Sequence, residues 1–145
     1  DFCTWRGLLV MSGVYRKAAE NDQVFKRLGG LGLWFGMIDD LWKLGKPVGQ
    51  GGPWKNTAVD AGQASDPYLM TGYDQKSLEL AHNDTETVTF AIEVAFNHFE
   101  WQTYATLKVP PGESITHEFP AGYQAHWVRL KTDKPVSATS VFSYN

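Results

Sequence analysis

The sequence predicts an all-β protein whose C-terminal part is an antiparallel β-sandwich, preceded by a few propeller-like strands and a long ordered connection. Three observations lead there. Val88, Phe90, Ile92, Val94 and Phe96 fall on alternate positions, the period of two that places one set of side chains on one face of a strand. Turn signals then recur every eight to twelve residues or so along the C-terminal half, as in sandwiches. Nothing shows the strand–helix–strand rhythm of a parallel sheet.

From the N-terminus, residues 6–14 are a short apolar run bounded by glycines, as in a buried strand. Residues 15–22 are short and polar and make a helical turn at most. Gln23 to Leu28 alternates, Gly29-Gly30 follows, and a second strand runs through 31–38; two strands joined by Gly-Gly read as a hairpin. Residues 39–47 are one short turn. The stretch 48–67 has no period but carries Gly49, Gly51, Gly52, Pro53, Trp54 and Gly62. It reads as an ordered connection, since disordered linkers rarely carry a tryptophan.

Regular strands begin at Tyr68. Tyr68 to Thr71 and Ser77 to His82 are separated by Gly72-Tyr73-Asp74, and Asn83-Asp84 turns into the alternating strand 88–96. Trp101, Thr103, Ala105, Leu107 and Val109 share a face of the next strand, and Pro110-Pro111-Gly112-Glu113 is a turn by its chemistry. Strands at 114–119, 124–132 and 136–144 complete the set. Phe90, Ile92, Val94, Leu107, Val109, Trp127, Val128 and Val141 are the expected core, with Trp127 and Val128 facing opposite ways.

The organisation expected is therefore propeller-like strands over 1–50, a connection over 51–67 and a sandwich over 68–145. The first fifty residues carry apolar side chains on both strand faces, among them Phe2, Trp5, Leu33, Trp34, Phe35, Met37 and Ile38. One propeller blade cannot close alone and the chain holds no internal repeat. These strands are expected to be an incomplete domain that leaves a broad apolar surface.

Composition narrows the function classes. The chain of 145 residues is 43% hydrophobic and 20% charged, which suits a packed core rather than disorder. Its 13 basic and 16 acidic residues give a net charge of −3 and are mixed along the chain. There is no Lys/Arg stripe for a phosphate backbone, so nucleic acid is not an expected partner, and the signs do not segregate enough to imply a charged substrate. No apolar run spans a bilayer, and the N-terminus lacks a signal-peptide pattern. The lone Cys3 reads either as a small buried side chain or as half of a disulfide whose partner lies elsewhere. Six tryptophans, six tyrosines and eight phenylalanines suit a β-rich core or a platform that stacks sugar rings.

The segments 33–47, Gly51-Gly52-Pro53-Trp54-Lys55 and 65–74, with His126-Trp127-Val128-Arg129-Leu130, give the chain a resemblance along nearly its whole length. It resembles the C-terminal region of large secreted microbial proteins of undefined function, multi-bladed propellers that end in a β-sandwich. The resemblance implies an extracellular, polysaccharide-directed setting, with polysaccharide or another part of the parent polypeptide as partner. It carries over no catalytic residue.

Candidate site residues follow from residue chemistry. Asp39, Asp40 and Asp66, with Asp60 nearby, are candidates for the paired carboxylates of a glycosidase or for calcium ligands. The commoner reading makes Asp39 or Asp40 a cap of the 41–44 turn and Asp66 a turn residue before Pro67. Trp42 and Trp54 lie in non-periodic segments, where a ring can stack on a pyranose or simply join the core. His82, His98, His117 and His126 have no metal-binding spacing, and no cofactor is expected apart from that weak calcium reading. Asn83-Asp84-Thr85 is a glycosylation sequon set in a turn. No nucleophile elbow, phosphate loop or dinucleotide fingerprint occurs.

Three functions fit: a non-catalytic sandwich of a polysaccharide-acting protein, a fragment of a glycoside hydrolase or lyase whose catalytic residues lie mainly elsewhere, and a structural association module. Exposed aromatics at Trp42 and Trp54 favour the first, two carboxylates in one cleft the second, and an open apolar face the third.

Overall fold

The computed structural model describes residues 1–14, 22–26, 32–97 and 99–145. They form an all-β, antiparallel chain in two compact units, Asp1–Lys46 and Pro47–Asn145.

The first unit is a four-stranded sheet of β1 (Phe2–Trp5), β2 (Leu8–Val14), β3 (Val24–Lys26) and β4 (Gly32–Gly36), in the order β1-β2-β4-β3. The strand expected over 6–14 begins at Leu8, because Arg6 and Gly7 both adopt positive φ (50° and 81°). That pair is the two-residue loop of a hairpin whose twist matches its strands. β3 and β4 pair antiparallel, Phe25 opposite Leu33; their expected Gly29-Gly30 turn and residues 15–21 of the helical turn expected over 15–22 lie outside the described residues. Gly36 makes room for Trp34: a Cβ there would fall 2.3 Å from the indole, so the ring folds down over the glycine and is buried. A 3₁₀ helix, Ile38–Leu44, follows β4.

The second unit packs two sheets face to face. One has the order β10 (Gln102–Val109), β9 (Val88–Ala95), β12 (Trp127–Thr132), β7 (Tyr68–Leu69). The other runs β11 (Ser114–Glu118), β8 (Lys76–His82), β13 (Val136–Tyr144), with β5 (Gly49–Gly51) and β6 (Thr57–Val59) sharing the far edge of β13. Val88, Phe90, Ile92 and Val94 of β9, Val128 and Leu130 of β12 and Leu78 and Leu80 of β8 fill the layer between them. The alternation read from the sequence is thus the inward face of the sandwich.

The differences from expectation have local causes. Phe96 is exposed because β9 ends at Ala95. The shared face of 101–109 breaks at a bulge: Thr103 opposes Glu93 but Ala105 opposes Ile92, leaving Tyr104 as the extra residue. Tyr104 then joins Phe119 and Tyr123 in an aromatic cluster with ring centroids 5.2 and 5.1 Å away. Val141 points outward, because Ala138, Ser140, Phe142 and Tyr144 take the inward positions of β13. Trp127 points outward and Val128 inward.

The stretch 51–59 is part of this sandwich rather than a connection between units. β5 and β6 are one edge strand interrupted at 52–56, where Trp54 turns into the core. There the Trp54 N–H donates to the Ser140 hydroxyl and the Ser140 N–H to the Trp54 carbonyl. At the C-terminal end of β8, His82 ties the two sheets together. Its Nδ1 accepts the Asp84 N–H, which leaves Nε2 to donate to the Val109 carbonyl at 2.8 Å. Lys76 is buried and donates to the carbonyls of Tyr73 and Tyr123. Burial pushes its ammonium below the ordinary lysine range, with Asp74 opposing the shift.

Candidate functional site

The open side of the sandwich carries a cavity of about 210 Å³ lined by Pro53, Trp54, Thr57, Ala58, Val59, Gln63, Ala64, Ser65 and Asp66. One wall is the interrupted edge strand of the β13 sheet. The other is the loop 60–66, anchored on β12 of the facing sheet. Gly62 and Ser65 donate N–H bonds to the Thr132 and Leu130 carbonyls, both at 2.8 Å, and the Ser65 hydroxyl accepts the Leu130 N–H at 3.0 Å. The cavity therefore bridges the two sheets and its walls are tied to their strands.

Two of the residues singled out in the sequence meet here. Asp66 is exposed at the rim, and its carboxylate has no hydrogen bond or ion pair among the described residues. Trp54 lines the inner side, packed on Phe90 with ring centroids 6.4 Å apart. It is only 6% exposed, so it belongs to the core and offers little ring area to a sugar face. Gln63 and Thr57 add an amide and a hydroxyl. Donors and acceptors of this kind suit a small polyhydroxylated group. Asp66 is the one carboxylate on the lining, whereas glycoside hydrolysis uses two across the scissile bond.

Asp39, Asp40 and Trp42 belong to the first unit. Asp40 Oδ2 accepts the Met37 N–H at 2.9 Å and Oδ1 the Lys43 ammonium at 2.7 Å. The Lys43 bond and then the Met37 bond hold its carboxyl below the ordinary range. That is a helix cap, with Asp39 exposed beside it. Trp42 is 84% exposed and, with Ile38, Leu41 and Gly45, borders an open depression of about 320 Å³. Phe2, Trp5 and Phe25 are also exposed, at 78%, 53% and 63%.

Asn83 is exposed in its turn, where Oδ1 accepts the Ser137 N–H at 3.1 Å. Asp60 closes the cavity loop through its carbonyl, which accepts the Gln63 N–H. His82 is the structural tie already described, His117 packs edge-on against Phe119 and Tyr104, His126 lies on Trp127, and His98 is outside the described residues. His117 lies on β11 and His126 just before β12, which belongs to the other sheet. Cys3 is exposed on the edge strand β1 and unpaired with another cysteine. Among the described residues, no three His, Cys, Asp or Glu side chains converge as a metal site, and no helix is long and apolar enough to cross a membrane.

One constellation escapes sequence reasoning. On the outward face of β9 and β12, Glu93 lies opposite Arg129. It accepts hydrogen bonds from Arg129 Nε and, at 2.8 Å, from Lys131 Nζ. Burial pushes the Glu93 carboxyl up, but the Lys131 and Arg129 bonds outweigh it and hold the group below its ordinary range. The Arg129 guanidinium also stacks over Trp101, 4.2 Å from the ring centroid. The available signal is period-two placement of Arg129 and Lys131 on one strand; pairing them with Glu93, 36 residues away, requires the register.

Comparison with protein-family models, curated proteins and solved structures returned no match.

Proposed function

We propose that this chain is a non-catalytic β-sandwich region of a secreted, carbohydrate-associated protein, and that the cavity between the edge strand and the 60–66 loop holds a saccharide unit. The observation that carries the reading is the unpartnered Asp66 carboxylate beside Gln63 and Thr57, in a cavity of about 210 Å³. A saccharide presents adjacent hydroxyls, and a carboxylate acceptor with an amide is a strong pair of groups for them. The isolated carboxylate supports binding rather than hydrolysis. Trp42, exposed on the first unit, supplies a separate ring for stacking.

Calorimetric titration with neutral mono- and oligosaccharides tests this. The expected outcome is dissociation constants near millimolar, about −4 kcal/mol, weakened about tenfold or more by Asp66→Ala. Saccharide binding indifferent to Asp66→Ala, or no binding at all, overturns the cavity assignment.

A second reading is an association module, favoured by the apolar side chains that the first sheet leaves in solvent, Phe2, Trp5 and Phe25 foremost. It predicts self-association or capture of a parent polypeptide that Phe2→Ser with Phe25→Ser abolishes in sedimentation measurements. A chain that stays monomeric and binds no such polypeptide contradicts it.

A further inference from the structure

The charges that are mixed along the sequence are sorted by the fold. Outward positions of the sheet β10-β9-β12-β7 carry Lys108, Arg129 and Lys131 against the single carboxylate Glu93. At one end, Asp133 is engaged with the Thr89 N–H at 2.9 Å. Three cations against Glu93 and, at the end, the ionised Asp133 still leave this face net positive in a chain whose net charge is −3.

The face is also built rather than merely charged. Arg129 is fixed twice, by Trp101 beneath its plane and by Glu93 on Nε. That geometry leaves both terminal nitrogens of the guanidinium for a second carboxylate, the fork that Arg presents bidentately. Lys131 gives one N–H to Glu93 and keeps two donors, since an ammonium has three. Along β12, Trp127, Arg129 and Lys131 stand at alternate residues on the same side, about 6–7 Å apart. Aromatic, fork and ammonium thus form a row rather than a pocket, the shape of site that a linear chain occupies.

We infer that this outer face binds a carboxylate-bearing polysaccharide, a uronate chain, with Arg129 receiving a carboxylate, Lys131 beside it on β12, Lys108 adding positive charge from across β9, and Trp127 and Trp101 giving the row its aromatic surface. The inference rests on the carbohydrate reading above but uses a separate face. Three cations and two tryptophans on one face match a sugar polymer with one charge per ring better than a phosphate backbone. A phosphate backbone calls for a denser array of Lys and Arg.

The test is affinity electrophoresis and calorimetry of the whole chain with polygalacturonate, a neutral glucan and single-stranded DNA at low salt. Polygalacturonate should bind, with affinity falling as salt rises. Arg129→Lys keeps the charge but loses the fork and should bind about tenfold more weakly. Lys108→Glu, at an exposed site with no folding role, should weaken binding about fivefold or more through reversed charge. Circular dichroism identifies any variant that unfolds, and Lys108→Glu decides the matter if Arg129→Lys does. Neutral glucan bound without polygalacturonate refutes this inference and leaves the cavity reading standing. Neither polymer bound refutes it outright. Single-stranded DNA bound as tightly, with the same dependence on Arg129, replaces it with a general polyanion surface.

Discussion

Gly52 sits so close to Ser140 that a Cβ on it would fall 2.0 Å from the Ser140 carbonyl oxygen, and that contact is what allows Trp54 to leave the edge strand and enter the core. Gly52→Ala must push β13 and the interrupted strand apart. It should destabilise the second unit by about 2 kcal/mol or more in chemical denaturation; a change below about 0.5 kcal/mol would mean the backbones are not in contact. Glu93 gives a pH prediction. Its folded pKa is depressed, so its contribution to stability is present above its unfolded value of 4.5 and is lost as pH falls through the folded value. Glu93→Gln should flatten the acid limb of the stability profile below about pH 4.5, measured by denaturation at stepped pH, while an unchanged limb would assign the acid sensitivity elsewhere. At this scale the sequence names Trp54 and Asp66 but not their shared cavity. The loop at 60–66 reaches that place through hydrogen bonds to β12, some 65 residues away, and no local pattern encodes such a partner.

Strands were legible where both period and turns spoke. The structure ends β13 where the alternation ends, at Val136 and Tyr144, and β9 stops one residue short of the apolar run. β10 matches the expected face from Ala105 to Val109 but not up to Thr103, because a one-residue bulge leaves the composition unchanged while exchanging the faces. The edge strand 49–59 was missed because two three-residue pieces broken by Gly52, Pro53 and Trp54 carry no period. Adjacent residues of β13 test the observed face assignment. Phe142, fully buried, should cost about 3–5 kcal/mol as Ala, whereas the outward Val141→Ala should cost under about 1 kcal/mol. Ile92→Ala on the inward face of β9 should cost about 2–5 kcal/mol. Comparable losses at 141 and 142 in urea melts would reverse the face of β13.

The whole molecule is two units of different character. The second has a continuous core between two sheets. The first is a single sheet whose buried hydrophobic residues are Val10 and Trp34 among those described. That contrast was readable from apolar residues on both faces of the early strands. Charge sorting was not, because Lys108, Arg129 and Lys131 come together only once β9 lies between β10 and β12. The saccharide proposed to sit between the edge strand and the 60–66 loop would touch both walls of the cavity. Amide chemical shifts of the whole chain, followed while neutral oligosaccharides are added, test it most directly. Saturable shifts are expected at Thr57, Gln63, Ser65 and Asp66, and they should vanish in Asp66→Ala. An unshifted loop 60–66 at saturating saccharide, or shifts that persist in that variant, would contradict it.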